Sequence, residues 1–411
     1  MASSSGTIDG VGGGAPRALR AAAFGAVLLL AAACSSGGAG NSAGSSAGNG
    51  DGVGGSHDTS EAGATTAGAG TGVTTTSTRP ARSAPPIIGA ALAFPALTAD
   101  RQYARVAAAR FDMVTPENEM KWAIVHPAPG VYDFDRADAI VDRAEAAGQR
   151  VHGHNLVWHA FNPDWLTSGT FTEGELRRTL RGHIRTVAGH FRGSVELWDV
   201  VNEALDESGE LRESLWSEGI GPEFVDLAFR WAHEADPGAL LFYNEYGAEG
   251  LGAKSDGVYR LVKGMIARGV PIDGVGLQMH TTIDPAPGPN APLGAALYRP
   301  DPSDLVVNMR RLADLGLEVA VTELDVRGPA PATAEALAAQ AEVYGDVMSA
   351  CIAVPACTSV TAWGFTDRYS WVPSHFPGVG DALPFDARLR PKPAYDAMCA
   401  QLAGYETRFC T

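Results

Sequence analysis

The sequence predicts one α/β domain folded as a (β/α)8 barrel, and three observations predict it. Eight short apolar runs recur between residues 87 and 364, at spacings that leave room for a helix between most of them. Ala- and Arg-rich stretches with helical periodicity, such as 136–147 and 223–235, occupy several of the intervals. Nearly every apolar run ends in side chains capable of chemistry, and a parallel barrel gathers its strand ends on a single rim. Strands alternating with helices in this number favour the closed barrel over a doubly wound sheet.

In chain order the strand candidates are Ile87–Leu92, Met113–Thr115, Val151–Val157, Val195–Val201, Leu240–Tyr243, Gly274–Leu277, Val319–Thr322 and Val360–Gly364. The second leads into Glu117, Asn118, Glu119 and Lys121. The third carries His152 and His154 and runs to Trp158 and His159. Asn202 and Glu203 follow the fourth, and Asn244, Glu245 and Tyr246 the fifth. Gln278 and His280 follow the sixth, Glu323 and Asp325 the seventh, and the last opens a segment from Trp363 to Trp371. One such cluster would mean little, but seven in order point to a shared site.

A chain of 411 residues would hold two or three average domains, yet a barrel uses about 250 residues or more as one unit. No composition break interrupts 84–411, so 85–411 reads as a single domain. The net charge of −16 argues against nucleic acid or an anionic membrane surface as partner. A neutral or weakly acidic polymer is compatible with it. Before residue 85 the chain reads differently. Arg17 and Arg20 precede an apolar run, Ala21–Ala33, too short for the ~20 residues of a bilayer-spanning helix but matching the core of an export signal. Residues 1–34 are therefore expected to be a signal peptide, and 35–84, almost entirely Gly, Ser, Ala and Thr, a flexible tether.

The Cys count bears on the compartment. In an exported chain, Cys351, Cys357, Cys399 and Cys410 most simply form two local disulfides, Cys351–Cys357 and Cys399–Cys410. Cys34 is left over, beside Ala31-Ala32-Ala33. That stretch fits ordinary small-residue cleavage and also resembles a bacterial lipobox, with Ala31 where Leu is usual. An unpaired Cys ahead of a long tether makes Cys34 the lipidation candidate. The expected location is secreted or cell-surface anchored, and the expected state is a monomer.

Cleavage of a glycoside with retention needs two carboxyl groups about 5–5.5 Å apart, one protonated and one ionised. Glu203 and Glu323 follow the fourth and seventh strands, whose ends face each other across a barrel mouth. On pattern alone, Glu203 reads equally as a first-turn helix carboxylate with Asn202 as N-cap. Glu323 reads equally as a rim ion pair with Arg327. A His such as His280, held by Asp325, would keep a neighbouring carboxylate ionised and oriented, though a hydrogen-bonded core His is the plainer alternative. His152, His154 and His159 invite a metal reading, but strand alternation supplies no third ligand, and no metal is expected. Trp363 and Trp371 offer flat faces for sugar C–H groups, against core packing as the alternative.

Taken together these residues resemble glycoside hydrolase family 10, the endo-β-1,4-xylanases. The resemblance covers about 87–399 and rests on Thr115–Trp122 (TPENEMKW), Gly153–His159 (GHNLVWH), Trp198–Ala204 (WDVVNEA), Gly274–His280 (GVGLQMH), Thr322–Asp325 (TELD), Trp363–Trp371 (WGFTDRYSW) and Phe385–Tyr395 (FDARLRPKPAY). It implies the barrel, hydrolysis of xylan with retention by double displacement, and no cofactor or metal. It implies Glu203 as acid/base and Glu323 as nucleophile. Asn202 and His154 would bind the 2- and 3-hydroxyls of the −1 sugar, and Glu117, Asn118 and Lys121 the −2 sugar. Gln278 would support the acid/base, His280 with Asp325 would tune the nucleophile, and Trp363 and Trp371 would roof the glycone subsites. Trp158 and Tyr246 complete the expected substrate-binding set, and the Cys351–Cys357 spacing also matches the family. Three departures from it stand out: Phe161 where a Gln is usual, Asn244-Glu245-Tyr246-Gly247 where Asn-Asp-Tyr-Asn is usual, and Arg368 where a Lys is common, a mild change. Phe161 and Gly247 prompt a second reading, a related β-1,4-glycanase with shifted glycone specificity; a cell-anchored glycan-binding protein with weak catalysis is a third.

Overall fold

The computed structural model describes residues 84–284 and 299–411. The expectations for the export signal, for Cys34 and for the tether up to residue 83 fall outside the described residues.

Eight parallel strands close into a barrel. They are β1 (Ile87–Leu92), β2 (Met113–Pro116), β3 (Arg150–Trp158), β4 (Leu197–Asn202), β5 (Leu240–Glu245), β6 (Gly274–Leu277), then β8 (Glu318–Pro329) and β9 (Cys357–Ala362). Neighbours follow chain order, and β9 closes the ring between β8 and β1. Two short additions sit on the long end of β8: β7 (His280–Thr282) pairs with it in parallel, and β10 (Val379–Gly380) antiparallel. The Val-, Ile- and Leu-rich runs suit strands covered on both faces.

Inside the barrel, Met113, Leu197, Phe242 and Ala320 pack together with Ile87 and Leu240 beside them. All lie near the start of their strands, so they plug the end away from the site. Outside, helices bury one face each on the strands; Phe224–Ala235 contributes Phe224, Val225, Phe229 and Trp231. Local sequence sets helix starts: Thr172 and Glu175 form a reciprocal capping box ahead of Glu173–His190.

All eight expected strands are present; Ile87–Leu92 and Gly274–Leu277 keep their expected ends and the other six shift. β4 begins at Leu197 rather than Val195, because the Val195 amide still bonds back to Phe191 in the preceding turn. β8 runs on to Pro329 because β7 and β10 supply partners for its extension. β9 stops at Ala362, and Gly364 turns the chain away with φ 92°. Both expected disulfides form, Cys351–Cys357 and Cys399–Cys410.

Candidate active site

Glu203 lies immediately after β4, where the chain takes a left-handed turn with φ 57°. No helix starts here. Asn202 is the last residue of the strand, the Glu203 amide donates to the Asn244 carbonyl on β5 at 2.9 Å, and the loop beyond is bridged from Leu205 to Leu211. The first-turn helix reading of Glu203 is thus overturned, since inter-strand bonding takes the groups a cap would use. Glu203 Oε2 accepts from the Trp158 indole at 2.9 Å, and Oε1 from Gln278 at 3.0 Å and Asn202 at 3.1 Å. Burial pushes this carboxyl up, but the His159 ring, the Gln278 and Trp158 donors and the Lys254 charge outweigh it and hold it below the usual range.

Glu323 lies within β8, across the mouth. Its Oε1 accepts from Asn244 Nδ2 at 2.7 Å, and its Oε2 lies 3.1 Å from His280 Nε2. His280 Nδ1 lies 2.7 Å from Asp325 Oδ2, which also accepts from the Trp371 indole at 2.8 Å. Burial alone would lower the His280 pKa, but the Asp325 charge and hydrogen bond, with Glu323 behind them, push it up to about 10. At neutral pH the ring is an imidazolium donating to both carboxylates. His280 thus lies between the two carboxyl groups that the sequence placed near it. A Glu323–Arg327 pair does not form: Arg327 approaches Asp325, at 3.7 Å.

A bridge of amides joins the two carboxyl groups. Gln278 Nε2 lies 3.3 Å from Asn202 Oδ1, which accepts from Asn244 Nδ2 at 2.9 Å, and that same nitrogen reaches Glu323. The Glu323 carboxylate only accepts, so the amide end facing it is the nitrogen, and Thr322 Oγ1 donates to the other end, Asn244 Oδ1, at 2.7 Å. Gly276 makes room for it. A Cβ there would sit 2.2 Å from Asn244 Oδ1. Asn244 was legible only as one polar residue at a strand end, with no role attached.

On one side of the mouth, His152 Nε2 and His154 Nδ1 converge on Asp199 Oδ2 at 2.9 and 2.8 Å. Burial raises the Asp199 carboxyl, but the two rings more than offset this and bring it down to about 2. Asp199 went unassigned from sequence, although strand parity places it inward beside both His. Lys121 Nζ donates to Asn118 Oδ1 at 3.0 Å and lies 5.2, 5.7 and 5.6 Å from the ring centres of Trp158, Phe161 and Trp363. Burial pushes the Glu117 carboxyl up to about 7 against the pull of Lys121, and Asn118 Nδ2 reaches its Oε1 at 3.4 Å. Trp363 meets His154 edge-on at 5.0 Å, and Trp371 meets His280 at 5.1 Å.

The opposite wall carries Tyr246, whose hydroxyl donates to Glu207 at 2.5 Å and accepts from Arg212 at 3.0 Å. It touches neither carboxyl group directly. Gly247 holds φ 66° and its amide donates to Glu249. Arg368 turns from the cleft to Asp100 at 2.7 Å and the Ala387 carbonyl. Phe161, by contrast, faces Lys121 within it.

A parallel barrel whose mouth holds two carboxyl groups in unlike surroundings, ringed by Trp, His and amide side chains, defines the class as glycoside hydrolase. The model of glycosyl hydrolase family 10 matches residues 80–401, and the chain belongs to that family. It is 44% identical over 299 residues to endo-1,4-beta-xylanase B of Thermotoga neapolitana, covering 72% of this chain and 82% of that one. It is 40% identical over 290 residues to an endo-1,4-beta-xylanase of Agaricus bisporus, covering 71% and 83%. Among solved structures, native xylanase 10B of Thermotoga maritima superposes with a TM-score of 0.72 at 43% identity, covering 77% of this chain and 94% of that one. Xylanase 10B of Thermotoga petrophila in complex with xylobiose gives 0.72 at 42%, with the same coverage.

Proposed function

We infer that this chain is a retaining endo-1,4-β-xylanase acting on xylan by double displacement. The observation that carries the reading is the pair Glu203 and Glu323, each held by its own donors and joined through Gln278, Asn202 and Asn244. Glu323 is the nucleophile. Its Oε1 is pinned by Asn244 and its Oε2 by the His280 imidazolium, which orient the carboxylate toward an anomeric carbon. Glu203 is the acid/base. In the free cleft its carboxyl is held low by its donors, and a seated sugar deepens the burial that already pushes it upward most strongly. Glu203 then takes the proton it delivers to the leaving oxygen, and in the second step it activates water.

His154, oriented by Asp199, and Asn202 face the −1 sugar; Glu117, Asn118 and Lys121 take the −2 sugar, with Trp363 and Trp371 above and Trp158 and Tyr246 at the sides. Cys34 tethers the exported chain to a membrane through a lipid, residues 35–84 serve as its linker, and the barrel over 85–411 works as a monomer. Xylan is the test substrate, with cellulose beside it. The wild type releases reducing ends from xylan faster than from cellulose, and Glu323→Ala abolishes the release. Faster turnover of cellulose, or substantial activity in Glu323→Ala, overturns the assignment.

A further inference from the structure

Glu203 is a non-glycine residue in the left-handed region, at φ 57°, a conformation in which Cβ crowds the following carbonyl. Something must over-determine it. Asn244 and its inward bonds account for the side of β5 that faces the cleft. The opposite face of the same strand carries Tyr243 and Glu245, both fully buried. Neither reaches the sugar site.

These two side chains take up the backbone immediately after Glu203. The Ala204 amide donates to the Tyr243 hydroxyl at 3.1 Å, and the Leu205 amide donates to Glu245 Oε2 at 3.2 Å. The Tyr243 hydroxyl donates in turn to that same Oε2 at 2.6 Å. The other carboxyl oxygen accepts from the Tyr246 amide at 3.2 Å and pairs with Lys254 Nζ, also at 3.2 Å. Lys254 is 4% exposed, and its second partner is Glu207 at 3.3 Å, in the loop that follows Glu203. A buried carboxylate with every bond satisfied and a buried cation on its far side is an expensive arrangement. Its bonds converge on the two amides after Glu203.

We propose that Tyr243, Glu245 and Lys254 are positioning residues for the acid/base: they clamp the backbone after Glu203 and hold its carboxyl where the leaving oxygen arrives. The clamp rests on the reading of Glu203 as acid/base. It acts through geometry, so loosening it degrades proton delivery while leaving the nucleophile untouched. A purely structural role would instead lower all steps alike.

The experiment is a leaving-group series of aryl and alkyl β-xylobiosides, with kcat/KM measured for the wild type, Tyr243→Phe, Glu245→Gln and Glu203→Ala. Circular dichroism fixes an assay temperature at which all four are folded. A dinitrophenolate departs without a proton, whereas a poor leaving group needs one. For Tyr243→Phe and Glu245→Gln the expected result is kcat/KM within about twofold of wild type on the dinitrophenyl glycoside, and a fall of about 10- to 100-fold on the poorest leaving group. With the dinitrophenyl substrate kcat and KM fall together, because the loosened base slows release of the glycosyl-enzyme. An equal loss across the series, or none, overturns the clamp. A flat series in Glu203→Ala overturns the acid/base reading itself, and so separates the two failures.

Discussion

His280 carries much of the electrostatics of the cleft. Buried and paired with Asp325 and Glu323, it has a pKa near 10, against an ordinary value near 6.5. A His raised on folding stabilises the folded state fully below its unfolded pKa, and that stabilisation is lost as pH rises through the folded value. Thermal unfolding followed from pH 7 to 10.5 therefore shows a decline that includes the loss of this pair. In Asp325→Asn the main cause of the raised pKa is gone, and the decline over that window is shallower. An unchanged slope would show that His280 is not charged there. Phe161 belongs at this scale as well. Its ring faces Lys121, so the departure from the family pattern falls inside the cleft, whereas Arg368, equally visible in the sequence, serves Asp100 outside it.

At the scale of elements, the barrel was legible because strand and helix periods differ and eight apolar runs kept their order. Most strand ends were not, β1 and β6 apart, since they depend on partners distant in sequence: β8 outruns its apolar run because β7 and β10 pair with it. β7 itself has three residues and follows Met279 at φ 63°, so it carries no period to read. Both carboxyl groups and their His were legible as residue types at strand ends. Asp199 and the role of Asn244 were not, because each acts through a side chain on another strand. Gly276 shows how closely β5 and β6 depend on each other. A methyl group there would strike Asn244 Oδ1, so Gly276→Ala is expected to displace the amide from Glu323 and lower kcat by about 10- to 100-fold. Steady-state kinetics checks this, and unaltered kcat would mean that the amide bridge is dispensable. The Cys399–Cys410 disulfide ties down a segment in which Phe409 packs between Phe111 and Tyr395, and Arg408 reaches the Phe111 and Ala147 carbonyls. Replacing both Cys by Ser is expected to cost about 2–3 kcal/mol in denaturant unfolding. A loss well under 1 kcal/mol would mean that packing alone holds the segment.

For the whole molecule, a charge of −16 and disulfides fit a protein that works outside the reducing cytosol on a neutral or weakly acidic polymer. Mass spectrometry of the mature N-terminus is expected to find a lipid-modified Cys34, and a start downstream of it would remove the anchor. Double displacement requires the barrel mouth to form a covalent glycosyl-enzyme, expected on Glu323. The most direct measurement is peptide mass spectrometry after incubation with a 2-deoxy-2-fluoro-β-xylobioside bearing a dinitrophenolate leaving group, which slows release of the intermediate. The predicted result is one xylobiosyl adduct per chain, located on Glu323; an adduct on any other residue, or inactivation without an adduct, would contradict it.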